Sequence, residues 1–324
     1  MDDLIADGDA AVVEAFFNSL SKRFKTTKPV YLSQDTPIDY LGVIISLDDD
    51  HITLSMEAYH HKLLANMDMT AAKPVGTPIT HQICESELLS ESEASRYRSG
   101  VGGIGWLANT VRPDLAFAFS RLGQHLAKPT VSAMAALTHC LKYVSGTVTS
   151  GLQMNLKFSD YDKNQFDFFS DSDHGGNTEV QNARRSQGCY LARQNGVAVR
   201  WASTAQSITT ISSTEAEIYA ASNAVQAFMH LGYVISELGL QDYPRPFQLY
   251  IDNNAAIIFM ENTGGVSRLK HIDCRLNWVL QMRDRKIVLP CSVASAENLA
   301  DIGTKILAGP TFRGLATNFM MLRF

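Results

Sequence analysis

The sequence lacks the paired cysteines of a disulfide framework or a zinc site. Its five cysteines are odd in number, lie far apart and include no CxxC pair. It also lacks an apolar run of the ~18 to 20 residues that cross a bilayer. Its start, MDDLIADGDA, is acidic where a secretory signal is basic. We therefore expect an intracellular protein in a reducing compartment, with no membrane partner.

An excess of basic charge is missing as well. Lys and Arg total 28 against 33 Asp and Glu, which gives a formal net charge of −5. Composition therefore indicates no global attraction to nucleic acid, although small basic groups can still contact phosphates. What the chain does have is length and apolar content: 324 residues, of which 45% are hydrophobic. This is enough for roughly two domains of ~100 to 200 residues each.

The first half of the chain reads as a helix, a hairpin and further helices. Apolar spacing predicts a helix from Asp9 to Phe24, and the alternating stretch IDYLGVIISLDDDHITLSM predicts a β-hairpin. A short helix is expected from Glu57 to Met67. The prolines and polar residues of Lys73 to Glu93 indicate a linker or an extended crossing segment. A helical block from about Ser95 to Val144 follows.

The second half changes to strands and helices in the order β-β-β-α-β-α-α-β-α from Phe166 onward. The pattern predicts three strands with a tight turn at Gln194-Asn195-Gly196, a helix over Ser213–Leu238, a strand in PFQLYIDNN, helices over Ala255–Asn262 and Leu269–Arg285, a strand in KIVLPCSV and a last helix over Ala296–Leu307. Hairpins followed by crossing helices describe a mixed α/β sheet with helices on its faces.

Four acidic residues fall where such a sheet gathers its active groups. Asp171 ends the first strand of this region in FDFFSDSDHGGN and Asp252 ends the fourth, while Glu217 lies one turn into the long helix and Asp301 lies early in the last one. Taken alone, this stretch is explained as a turn, because Asp, Ser and Gly are turn formers. Clustered carboxylates repel and are usually neutralised by hard cations. Two such ions ~3.5 to 4 Å apart can clamp a phosphodiester for in-line hydrolysis. Asp173 we place in solvent or in the outer shell.

The same stretches resemble the RNase H domain of copia-type (pseudoviral) LTR retrotransposon Pol polyproteins. The matching text, in the order of the family, is SDSDHGG, RRS with YLA, VRWASTAQ, ISSTEAEIYAAS, IDNNAAI, RLKHID and NLADIGTK. Upstream, YLGVIISL and YRSGVGGIGWLANTVRPDLAFAFSRL look like the part of the polyprotein that follows the reverse transcriptase active site. The resemblance implies three regions: a truncated reverse transcriptase palm and thumb remnant (1–80), a helical connection (81–160) and an RNase H-like domain (161–324).

What the resemblance implies for function is cleavage of the RNA strand of an RNA–DNA hybrid, dependent on two Mg²⁺ or Mn²⁺ ions, by a fragment whose partner is the rest of the Pol polyprotein. Three metal ligands carry over to Asp171, Asp252 and Asp301. For the second carboxylate, EIYAA favours Glu217 over Glu215. Both cannot face the metals, since residues two apart point about 200° away from each other around a helix.

The start of the chain, MDDLIADGD, resembles the YxDD hairpin of reverse transcriptases. Asp2 and Asp3 would then be the paired polymerase acids, and the chain would begin in the middle of the palm. We therefore expect no polymerase activity, because the metal clamp for nucleotide transfer is incomplete.

The resemblance also suggests contacts to nucleic acid and one departure. Arg185, Gln206 and Lys270 are candidates for contacting the hybrid backbone, and His271 is expected to be structural or to face phosphate. Cys189 stands where the family has glycine, which predicts strain in that hairpin. This departure supports an alternative function, a catalytically inactive remnant that binds nucleic acid. An integrase-like transesterase is a weaker alternative.

Overall fold

The computed structural model describes residues 3–156, 166–176, 184–240, 246–261 and 273–324. The elements of the first half are α1 (Ala10–Ser21), β1 (Ile38–Tyr40), β2 (Val43–Leu47), β3 (His51–Ser55), α2 (Glu57–Asn66), α3 (Glu91–Thr110), a 3₁₀ segment (Pro113–Leu115), α4 (Ala116–Gly123), α5 (Val131–Ser145) and β4 (Leu152–Asn155). Helix α1 begins after Asp9, whose carboxylate accepts hydrogen bonds from two backbone N–H groups of the first turn. Among the described helices, none has the length and apolarity to cross a bilayer.

The predicted hairpin is part of a larger antiparallel sheet in the order β1-β2-β3-β4. A tight turn with left-handed backbone at Leu41 and Gly42 separates β1 from β2. Strand β4 returns from beyond α5 and pairs with β3 in the register His51↔Asn155. The end of the expected connection segment therefore completes a sheet that begins in the expected palm remnant. The three-region division of the chain stays a prediction.

The second half builds the mixed sheet that the sequence predicts. Its elements are β5 (Phe166–Asp173), β6 (Gln187–Gln194), β7 (Val197–Ala205), α6 (Ser213–Glu237), β8 (Phe247–Ile251), α7 (Asn254–Met260), α8 (Asp273–Asp284), β9 (Val288–Ser292), two 3₁₀ segments (Ser295–Glu297 and Leu299–Gly303) and α9 (Gly309–Ala316). The strand order is β7-β6-β5-β8-β9, with β5, β6 and β7 antiparallel and β5, β8 and β9 parallel. The expected α/β class is confirmed.

The end of the chain differs from the expected single helix over Ala296–Leu307. Instead, two 3₁₀ segments precede α9, which starts only at Gly309 with proline in its first turn. Asn298 interrupts the expected helix because its side-chain amide donates to the Ser170 carbonyl at 3.0 Å and its oxygen caps Ala300. This contact fastens the segment Leu299–Gly303 to strand β5. Part of the helix expected over Leu269–Arg285 lies outside the described residues.

Both faces of the central strand β5 are buried. Alternation along β5 sends Phe168 into a core formed with α6, α7 and α8, and Phe169 into a core that continues through α3, α4, α5 and α9. The upstream helices therefore cover one face of the sheet. Phe319 and Met320, after α9, close the same core.

A buried ion pair fastens the upstream helices to each other. The guanidinium of Arg112, fully buried, donates to both carboxylate oxygens of Asp114 at 2.9 and 2.8 Å, and also to the carbonyl and hydroxyl oxygens of Thr147. Tyr143 donates to Asp114, and His60 contacts Arg112 Nη1 through Nε2 at 3.1 Å. Burial and the Arg112 charge lower the pKa of His60 to about 3, so that its ring is neutral and accepts this hydrogen bond.

We expect Arg112→Ala to lower the free energy of unfolding by about 3 to 5 kcal/mol, because it leaves the Asp114 carboxylate buried without its partner. Urea denaturation measures this loss. The matched control is Arg96→Ala, which removes an exposed ion pair with Asp68 and a hydrogen bond to the Met67 carbonyl, and should cost about 2 kcal/mol or less. Equal losses in the two variants would contradict a special role for the buried pair.

Candidate metal centre

Three carboxylates from three elements converge at one edge of the second sheet. Asp171 lies near the end of β5, Asp252 directly follows β8, and Glu217 lies in the second turn of α6. One carboxylate oxygen from each lies within 4.8 Å of the other two. The parallel neighbours β5 and β8 end at the same edge, which brings the two aspartates together. Helix α6 starts there because Ser212 caps it by accepting from the Glu215 N–H at 3.1 Å.

Asp171 is the most enclosed of the three, with 2% of its surface exposed. The Thr304 hydroxyl donates to its Oδ2, and Lys305 Nζ lies 3.7 Å from the same oxygen. Burial raises the pKa of Asp171 to about 7, the neighbouring Asp301 adds to the rise, and Lys305 and Thr304 oppose it. The carboxyl group therefore holds a proton well above its ordinary range when no cation is bound.

Glu217 has one oxygen engaged and one free. The Ser172 N–H donates to Oε1 at 3.3 Å, while Oε2 is buried without a hydrogen-bond partner. Burial and the nearby Asp171 and Asp252 raise the pKa of Glu217 well above its ordinary value. A buried carboxylate oxygen without a partner costs free energy unless a ligand satisfies it. An all-oxygen set of this kind fits a hard divalent cation such as Mg²⁺ or Mn²⁺.

The fourth expected acid, Asp301, lies beside the group and carries an ion pair. Its Oδ1 is 2.9 Å from Lys305 Nζ, one helical turn further along the chain. Although burial lowers the pKa of Lys305, the Asp171 and Asp301 carboxylates raise it further, so the net shift is upward. Sequence reasoning missed Lys305 and Thr304, although both stand in the motif NLADIGTK and Lys305 follows Asp301 at a spacing of four.

The two candidates for the second carboxylate are separated by the helix. Glu217 faces the aspartates, whereas Glu215 turns back to the helix start, where its Oε2 accepts from the Ile211 N–H at 2.7 Å. Glu215 therefore acts as the acid of a capping arrangement with Ser212. Its carboxylate is not in the three-acid group.

Other predicted residues lie in different settings. Arg185 is exposed, as a phosphate contact requires, and Asp3 is exposed near the start of the chain. Asp2, Lys270 and His271 lie outside the described residues. Asp173 is half-buried at the end of β5, and burial raises its pKa.

Gln206 does not have the surface position expected of a contact to the hybrid backbone. It is buried, and its side-chain amide donates to Ser172 Oγ at 3.2 Å and to the Ala216 carbonyl at 2.8 Å. Gln206 thus ties the end of β7 to β5 and α6, the two elements that carry Asp171 and Glu217. The expected contact is corrected to a supporting one.

Cys189 does not produce the strain expected of it. It pairs regularly with Asp171 across β5 and β6, and its backbone is not among the described residues with positive φ. The space for its side chain comes from Gly303 on the facing 3₁₀ segment. A Cβ at Gly303 would lie 2.2 Å from Cys189 Sγ and 2.8 Å from its Cβ. Cysteine on one element and glycine on the other therefore form a packed pair.

This packing predicts a coupling between the two positions. Gly303→Ala should lower the free energy of unfolding by about 1 to 3 kcal/mol through overpacking, and should cost less in a Cys189→Gly background. The matched control is Gly102→Ala, at an exposed position in α3 with nothing within 4 Å of the added Cβ, where alanine should stabilise slightly. Denaturation experiments measure both losses, and the coupling is refuted if Gly303→Ala lowers the free energy of unfolding equally in the two backgrounds.

The raised pKa of Asp171 predicts how stability depends on pH in the presence of a chelator. A carboxyl group with a folded pKa of about 7 stabilises the fold fully below its unfolded pKa of ~3.9, and this contribution is lost as pH rises toward the folded value. The loss is on the order of 4 kcal/mol at most. Wild type should therefore lose more stability than Asp171→Asn between pH 5 and pH 8 in urea denaturation. Parallel losses would show that Asp171 has no raised pKa.

The strand order, with three antiparallel strands leading into two parallel ones and carboxylates at the open edge, defines an RNase H-like fold. Among solved structures, an RNase H1 isolated from compost, in complex with an RNA/DNA hybrid, is 12% identical to this chain. The match covers 43% of this chain and 94% of that structure, with a TM-score of 0.34. The fold assignment rests on the strand order, because a score of this size does not carry it.

Proteins similar in sequence to this chain include Pol polyproteins of plant transposons. The retrovirus-related Pol polyprotein from transposon TNT 1-94 of Nicotiana tabacum is 28% identical over 314 residues, which cover 94% of this chain and 23% of the relative. That from transposon RE2 of Arabidopsis thaliana is 27% identical over 324 residues, which cover 99% and 21%. An uncharacterized mitochondrial protein of Arabidopsis thaliana is 30% identical over 183 residues, which cover 56% and 73%. No model of a known protein family matches the chain.

Over nearly its whole length, the chain is similar to copia-type retrovirus-related Pol polyproteins. It spans about a fifth of the length of the two Pol polyproteins described above.

Proposed function

We propose that the RNase H-like part of this chain hydrolyses the RNA strand of RNA–DNA hybrids with Mg²⁺ or Mn²⁺. The observation that carries the proposal is the three-acid group of Asp171, Glu217 and Asp252, with a buried Glu217 oxygen that has no protein partner. Asp301, beside the group, supplies a further carboxylate for a second ion. The site lies at a sheet edge where strands end, which is the usual place for active groups in α/β folds.

The substrate class is supported by the relatives. Both Pol polyproteins described above are named as retrovirus-related, and the structure of the RNase H1 from compost is a complex with an RNA/DNA hybrid. We propose the same substrate for this chain and the remaining Pol regions as its partners. Exposed Arg185, on the chain segment entering β6, is a candidate for phosphate contact.

The roles of the residues follow from their surroundings. Asp171, Glu217 and Asp252 would hold the metal, which, when bound, would lower the pKa of an attacking water and stabilise the leaving oxygen. Thr304 fixes Asp171 through Oδ2, and the Ser172 N–H fixes Glu217 through Oε1. Asp252, only half-buried, lies on the open side. Because burial raises the pKa values of Asp171 and Glu217, metal binding competes with protonation of these two carboxyl groups.

The test compares two acids two residues apart on α6. Purified wild type, Glu217→Gln and Glu215→Gln are incubated with a labelled RNA–DNA hybrid in Mg²⁺ and in Mn²⁺, with duplex DNA and a chelator as controls. Glu217→Gln should lose cleavage of the RNA strand by at least about a hundredfold, since a metal ligand is lost. Glu215→Gln keeps the oxygen that caps Ile211 and should cleave like wild type.

Two results would contradict the proposal. Cleavage that survives in Glu217→Gln would place the metal elsewhere. Folded wild type that binds the hybrid and leaves its RNA strand intact would favour the alternative function, an inactive remnant that binds nucleic acid.

A further inference from the structure

A lysine ammonium lies inside the group of expected metal ligands. Lys305 Nζ is 2.9 Å from Asp301 Oδ1 and 3.7 Å from Asp171 Oδ2, so it bridges two acids that the family resemblance assigns to metal binding. Within the described residues, the acids close enough to share one ion are Asp171, Glu217 and Asp252. Asp301 is paired with Lys305 instead. The ammonium therefore lies on the side of Asp171 that faces Asp301.

The structure holds this lysine in place. Lys305 lines a small, mostly apolar pocket together with Pro78, Ile79, Phe117 and Leu307, while its charged end reaches the acids. Its side chain remains 37% exposed. The preceding segment is anchored to the sheet by Asn298 and by the Ser203 hydroxyl, which donates to the Gly303 carbonyl at 2.5 Å.

We propose that Lys305 is the resident cation on the Asp171–Asp301 side of the site, and that it limits the protein without substrate to one divalent ion. That ion is held by Asp171, Glu217 and Asp252, and a second ion must displace the ammonium from Asp301. The inference rests on the proposed function, in that the three-acid group binds a divalent cation. Like charges a few Å apart repel strongly in a partly buried site, so the ammonium and a second ion exclude each other.

Lys305 is in this sense a positioning residue: it acts through the occupancy of Asp301. A neutral side chain of similar length removes the competing charge and leaves two acids free. Lys305→Arg retains the charge and should retain the competition, although its geometry differs. A merely structural role for Lys305 would change stability in both variants and leave the number of bound ions unchanged.

The experiment is calorimetric titration of the full chain with Mn²⁺, without nucleic acid, after circular dichroism has shown each variant to be folded. Wild type should take one ion. Lys305→Met should take two ions, or bind the first roughly tenfold more tightly if the two sites stay coupled. Lys305→Arg and the exposed charge control Lys128→Met should both behave like wild type. Lys305→Gln serves as the neutral variant if the methionine variant does not fold.

The inference is overturned if wild type binds two ions. It is also overturned if the neutral variants match wild type in both the number of bound ions and their affinity. Failure of the proposed function is distinguishable. Ions bound as expected, with the hybrid left uncut, would refute the nuclease and leave the role of Lys305 supported. No binding by wild type or by any variant would refute both.

Discussion

The site depends on one electrostatic constraint: carboxylates crowded at the ends of β5 and β8 cannot all be charged and unpaired in a buried setting. The fold meets this constraint in two ways when no divalent ion is bound. Burial raises the pKa values of Asp171 and Glu217 and so favours their neutral forms, and Lys305 places a positive charge between Asp171 and Asp301. Both devices are exchangeable, because a divalent ion can replace a proton and an ammonium alike.

The scaffold around these groups is rigid on both faces of the sheet. Phe168 packs towards α6 and α8, and Phe169 packs towards the upstream helices, so β5 cannot shift without disturbing two cores. The crossing segment before α3 also contacts the turn that follows β5, because the Gln82 side chain donates to the Gly176 carbonyl at 2.8 Å. The upstream half of the chain is therefore part of what positions Asp171, and the RNase H-like sheet is incomplete as a buried structure without it.

Much of this arrangement could be predicted from short-range signals. Apolar strands ending in Asp171 and Asp252, the cap at Ser212 and the turn at Asn195-Gly196 each have a local physical cause. The failures concern distant contacts. The pairing of β4 with β3 spans about a hundred residues, and the burial of Gln206 depends on β5 and α6 together. A separate, local difficulty is that the segment Leu299–Gly303 is too short for its spacing to distinguish a 3₁₀ helix from an α-helix. Lys305 was overlooked because spacing alone does not show which acids surround a lysine.

The free-energy cost of burying Glu217 is evidence on whether this group of acids is a functional site. An apolar or amide side chain at this position would avoid burying an ionisable group beside two others, and it would avoid the unpartnered oxygen, which costs about 1 to 3 kcal/mol. The Ser172 N–H satisfies only Oε1, so packing on α6 does not require the second oxygen. Local rules that a structure breaks at a cost are most often broken at functional sites. Glu217 lies in one group with Asp171 and Asp252, which come from two other elements. A purely structural role for Glu217 gives no reason for its second, unpartnered oxygen.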